Sequence, residues 1–259
     1  MSALTPGSAP GSGVVGDGLS PGETEFLLAF ADDEHLMGQR HTEWIGVAPF
    51  LEEDLAFASI AQDELGHATG LYELIDADVD RLALLREPDD YRSCALVEHP
   101  GTDWADALIR HWLYDLAEQH RWATVAGSRL DALTRLAARA EREEHYHRRH
   151  AHALLVALWP DPAARRRLEA SLSAMLPLAV GQFEPVAGEA DALARGLATA
   201  RWSDALPQWR NDVEAVVGPL RWPSVSDVPS SGRTRRSAHF AAVHDEMRMV
   251  IAIDPTATW

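Results

Sequence analysis

Two Glu-x-x-His pairs stand in this chain, Glu64-Leu-Gly-His67 and Glu144-His-Tyr-His147. Each follows an acid, Glu34 or Asp115, by 30 and 29 positions respectively. Residues three apart share a helix face, so the Glu and His of each pair can point at one object. Two helices carrying such pairs, with one acid from each of two more, form a donor set that holds two metal ions inside a four-helix bundle. Four carboxylates facing an apolar interior would repel and lose their hydration. Two divalent cations cancel those charges; without metal, some of the acids must be protonated. Carboxylate oxygens with one imidazole per ion suit iron first and manganese second. Zinc prefers fewer ligands and often sulfur, and Cys94 lies outside the pattern. Reduced iron held in this way can pass electrons to dioxygen, with the protein supplying spacing and a dry pocket.

The elements that must carry these residues are helices. Ala, Leu, Glu and Arg dominate and no Asn-Gly hairpin signal occurs, so the fold class is all-α. Ser20-Pro21 supplies a cap and a first-turn proline for a helix over 22–44. A second helix is expected over 50–75 after the break at Val47-Ala48-Pro49. A long connection over 76–92 holds room for a helical turn. Helices over 102–126 and 130–158 follow, then one over 163–180 with a possible kink at Pro177. The signal weakens after Gly181, leaving helices over 203–217 and 238–253 around a Pro/Ser/Gly-rich stretch at 223–232.

In an antiparallel helix pair, opposed residues have nearly constant index sums. A turn near Pro49 sets Glu64 opposite Glu34, and a turn near Ser128 sets Glu144 opposite Asp115. The same arithmetic demotes Glu43 and Glu53, and Glu43-Trp44 reads as structural. Leu27, Phe30, Leu55, Ile60, Leu71, Trp112, Leu116 and Leu154 recur at helical spacing around the acids and are expected in the core. Asp63 and Glu143, each preceding a ligand glutamate, can hydrogen-bond a ligating imidazole or face solvent. Glu118 reads as a surface or core polar residue with a possible ligand role. His145, His150 and His152 read as surface and contact residues.

Composition bounds the rest. The chain has 259 residues, and 21–259 reads as one helical domain, with the bundle over 22–160 and a C-terminal region over 161–259. Residues 1–20 read as a flexible leader. No apolar run is long enough for a membrane span. The net charge of −17, carried without a single Lys, disfavours nucleic acid and anionic membranes. One cysteine excludes an intrachain disulfide and fits a reducing cytoplasm.

Several stretches carry a resemblance to a known family. Glu43-Trp44-Ile-Gly-Val-Ala-Pro49, Asp54-Leu-Ala and Ile60-Ala-Gln-Asp-Glu64-Leu-Gly-His67-Ala resemble the ferritin-like A and C subunits of phenylacetyl-CoA epoxidase. Trp104-Ala-Asp, Asp115 and Glu144-His-Tyr-His147 fit the same pattern. The resemblance runs over about 24–255. Chain length, Thr42-Glu43-Trp44 and the final Trp259 look more like the C-type component. It implies a ferritin-like four-helix bundle with additional C-terminal helices, in a multicomponent oxygenase that epoxidises an aromatic CoA thioester in aerobic phenylacetate catabolism. It also implies two Fe ions, an A-type catalytic partner, and electrons from an NADPH-dependent reductase. The A-type ligands correspond here to Glu34, Glu64, His67, Asp115, Glu144 and His147. The familiar C-type pattern has lost several of these ligands, whereas this chain keeps all six. No residue is assigned to CoA binding. Two other roles stay open: a non-catalytic structural partner of an A-type component, and a stand-alone ferritin-like iron oxidase or oxygenase.

Overall fold

The computed structural model describes residues 18–254, and most of the leader expected over 1–20 lies outside them. Helix α1 (Pro21–Thr42) begins at a capping box: Glu23 N–H donates to the Ser20 hydroxyl and Ser20 N–H donates to Glu23 Oε2. After the Gly46 turn, α2 (Leu51–Glu73) runs back along α1. A Cβ built on Gly38 would lie 2.9 Å from Leu65 Cγ, so only a glycine lets α1 and α2 approach this closely one turn from Glu34.

The expected connection contains α3 (Val79–Leu84), a 3₁₀ turn at Pro88–Asp90 and the single-turn α4 (Ala95–Glu98). The second hairpin is α5 (Trp104–Val125), capped by Asp103, and α6 (Asp131–Leu158). The two hairpins meet where α2 packs on α6, and these four helices form the bundle. Among the described residues there is no strand, and no helix is long and apolar enough to cross a membrane. The helix bounds expected from sequence hold to within a few residues for all four.

The C-terminal region lies over this bundle. It comprises α7 (Pro162–Val180), which continues past Pro177, then α8 (Glu189–Ala194), α9 (Leu206–Val217) and α10 (Phe240–Met247). Helix α8 has no counterpart in the sequence reading, and α10 is shorter than the expected 238–253. Trp202 fastens this region: its ring centroid lies 5.1 Å from Phe26 and 5.5 Å from Phe30, and it is fully buried. The Trp209 indole N–H donates to the Leu113 carbonyl at 3.2 Å.

Most of the expected core is buried: Leu27, Phe30, Ile60, Leu71 and Trp112 have essentially no exposure. Leu116 and Leu154 are half-buried against it. Leu55 is a correction, being 63% exposed. It lies on the outward stripe of α2, in line with the exposed Ser59 and Gln62 and on the side of the helix opposite Glu64. Ile45, Val47, Phe50 and Leu51 are exposed at the same end.

Candidate metal centre

Helix α1 buries an unbroken run of polar residues, Asp32-Asp33-Glu34-His35, because other elements cover it on several sides. Each acid has a separate role. Asp32 accepts from the Tyr72 hydroxyl at 2.6 Å and pairs with Arg86. Asp33 accepts from Cys94 N–H at 2.7 Å and pairs with Arg121 and Arg233. Glu34 turns toward α2, α5 and α6, where it accepts from the Tyr114 hydroxyl at 3.1 Å.

All six residues singled out by spacing are fully buried. Donor atoms of Glu34, Glu64, His67 and Glu144 lie within 4.8 Å of one another. His147 adjoins this group, its Nδ1 lying 3.3 Å from Glu144 Oε1 and 3.8 Å from Glu64 Oε1. Asp115 sits at the margin, 2.9 Å from His111 Nδ1 on its own helix. A line of side chains continues outward from there: His111 Nε2 is 3.4 Å from His150 Nδ1, and His150 Nε2 meets Glu53 at 3.0 Å. His150 is therefore half-buried between helices, which corrects its surface reading, whereas His145 and His152 are exposed.

The supporting acids cross between hairpins. His67 on α2 donates through Nε2 to Glu143 on α6 at 2.8 Å, and His147 on α6 donates through Nε2 to Asp63 on α2 at 3.2 Å. Both imidazoles therefore present Nδ1 to the acids. Of the two readings of Glu118, the core polar one holds: it is fully buried, 2.9 Å from Arg121, one turn beyond Asp115. An acid three residues from a ligand on the same helix was the available signal. Sequence alone could not show that Arg121 and Asp33 would seal it from water.

Charge balance tests whether metal fits here. Counted as carboxylates, Glu64, Glu144 and Asp115 have no hydrogen-bond donor on either oxygen. In the metal-free chain protons fill this gap. Burial, then the Glu34 and Glu144 charges, holds the Glu64 carboxyl well above its ordinary range. Burial likewise raises Glu118 and Glu144, and pushes Asp115 up to about 8. Burial also disfavours charge on Glu34, but hydrogen bonds from Glu118 and His67 outweigh it and bring Glu34 down to about 2. Burial would lower both imidazoles, yet their carboxylate partners win, raising His67 to about 9 and His147 to about 10. Unpartnered carboxylate oxygens beside two inward-facing imidazole nitrogens are a donor set for hard divalent cations, so the residues fit a dimetal centre.

The family model described as "Phenylacetic acid catabolic protein" matches residues 16–259. Over 131 residues the chain is 33% identical to the C component of the 1,2-phenylacetyl-CoA epoxidase of Escherichia coli (strain K12). That alignment covers 49% of this chain and 53% of the relative, so about half the length of the curated relative is spanned.

Proposed function

This chain belongs to the phenylacetic acid catabolic protein family, and from that premise we propose that it is a C-type component of a multicomponent phenylacetyl-CoA 1,2-epoxidase carrying its own di-iron centre. The carrying observation is the sealed group of Glu34, Glu64, His67 and Glu144, with donor atoms within 4.8 Å. Two irons bound there, with His147 and Asp115 completing the set, would supply redox chemistry toward dioxygen.

The chain's own residues do the rest. Glu143 and Asp63 hold the Nε2 protons of His67 and His147, which fixes Nδ1 as the inward nitrogen. Tyr114 holds one oxygen of Glu34. Trp122, its ring centroid 5.3 Å from His67, and Ile60 keep bulk water out. In this reading the chain acts in the cytoplasm beside an A-type catalytic partner, with electrons delivered by an NADPH-dependent reductase and an aromatic CoA thioester as substrate. The exposed apolar end formed by Val47, Phe50, Leu51 and Leu55 supports a heteromeric setting.

The test is the metal content of anaerobically purified protein, alone and with an A-type partner. About two irons per chain is expected; no iron under iron-replete conditions rejects the centre. A second reading, in which the metal stabilises a scaffold, draws on the complete burial of all six residues. Turnover of the reconstituted complex after Glu64→Gln and Glu144→Gln separates the two, because a scaffold metal can be lost without loss of turnover.

A further inference from the structure

The six predicted ligands have no exposure, yet metal must reach them from water. A cavity of about 240 Å³ between α5 and α6 has Glu144 in its wall. Its outer part is formed by Ala123 and Ala126, both exposed at the C-terminal end of α5. Its inner part is formed by Trp122 and Ala137, which are buried. Three of its eight lining residues, at 123, 126 and 137, are alanines, whose single methyl groups take up little of the space. A longer side chain at either exposed position would project into it.

Charge is distributed along this cavity in a definite order. Glu141, exposed at the rim, and Glu144, at the inner end, are three residues apart on α6 and lie on one face. Arg148, one turn beyond Glu144, also lines the cavity. Its Nε donates to the Glu144 carbonyl at 3.2 Å, and its Nη1 donates to Gln119 Oε1 on α5. Gln119 is one turn from Asp115. The Arg148–Gln119 bridge thus spans the two helices one turn from two of the acids, placing a positive charge beside the route. The guanidinium repels an approaching divalent cation electrostatically until the bridge opens.

We propose that this α5–α6 cavity is the port through which divalent metal ions reach the carboxylate cluster, with the Arg148–Gln119 bridge as its gate. The inference rests on the dimetal reading above. An ion passes from the Glu141 rim to Glu144 along one turn of α6. Opening requires only that Arg148, itself half-buried, swing outward.

Cobalt(II) alone is the probe: its uptake by metal-free protein is followed by stopped-flow absorbance, and cobalt per chain is measured at equilibrium. Ala123→Leu with Ala126→Leu is expected to slow uptake at least tenfold without changing the final cobalt content. Both positions are exposed in the last turn of α5 or at its cap, where leucine is well tolerated. Ala126→Leu alone, checked by circular dichroism, serves if the double variant folds poorly. Arg148→Ala is expected to speed uptake severalfold at the same content. Wild-type uptake rates in the leucine variants overturn the port and leave the dimetal reading standing. A wild-type protein that takes up no cobalt overturns both.

Discussion

His67 and Glu143 belong to different hairpins, yet the imidazole Nε2 meets the Glu143 carboxylate at 2.8 Å. The converse bond, from His147 to Asp63, makes each ligand-bearing helix the support for the other's histidine. Glu143 is held down to about 2 by that bond, with further help from Arg139, so it is ionised throughout the neutral range. Orientation of the two inward nitrogens is therefore a joint property of α2 and α6.

Loss of one crossed support should loosen metal without unfolding the protein. Glu143→Gln or Asp63→Asn is expected to lower metal affinity by about 10- to 100-fold. Titration with a competing chelator reads the change, and unaltered affinity in both variants would remove the supporting role.

Replacing two of the buried acids should separate metal binding from folding. Glu64→Gln with Glu144→Gln removes two acids that have no donor on either oxygen. Metal content by elemental analysis is expected to fall close to zero. The thermal midpoint of the metal-free variant at neutral pH should equal or exceed that of the wild type, because the buried acids must take up protons on folding and the amides need none.

Stability of the metal-free chain should fall as pH rises. Asp115 is raised to about 8, His67 to about 9 and His147 to about 10, so each binds a proton more tightly folded than unfolded. Such stabilisation is complete below the unfolded values, about 3.9 for Asp and 6.5 for His, and is lost as pH passes the folded values. Thermal midpoints between pH 6.5 and 9 should decline without metal and stay level with it. Metal affinity should rise over the same window, because binding displaces those protons. A metal-free midpoint that climbs with pH would contradict this.

Arg121 is the internal counter-charge, lying 2.9 Å from both Asp33 and Glu118 and fully buried. Its guanidinium also stands 4.4 Å from the centre of the Trp202 ring. Arg121→Met leaves Glu118 without its counter-charge and Asp33 with only Arg233 and the Cys94 N–H, and should cost about 3–5 kcal/mol of stability in urea denaturation. A loss below about 1 kcal/mol, the usual worth of an exposed pair, would show that water reaches Asp33 or Glu118.

The bundle is legible in the sequence because its signals are local. Ser20-Pro21, Asp103 and the apolar spacing set each helix, and two short turns fix which acids face which Glu-x-x-His pair. Glu34 opposite Glu64 follows from that arithmetic, and the structure places both in the four-residue group. Leu55 misleads because its apolar type suggests core, whereas its register with Ser59 and Gln62, opposite Glu64, sets it on the solvent face of α2. The choice between surface and core for Glu118, and the half-burial of His150, depend on partners, Arg121 for one and His111 with Glu53 for the other, whose positions only the packed helices define. Helix α8, six residues long, is too short for its periodicity to be seen.

The division of the ligands between hairpins also orders events in time. Within α1–α2, Glu34 and His67 can meet through one local turn, but joining them to Glu144 closes a chain segment more than twice as long. Local helix pairs form early and contacts distant in sequence form late. The ion-holding group thus comes into being only when the two hairpins dock. Metal added during refolding should leave the formation of the individual hairpins unchanged and act chiefly by slowing their separation.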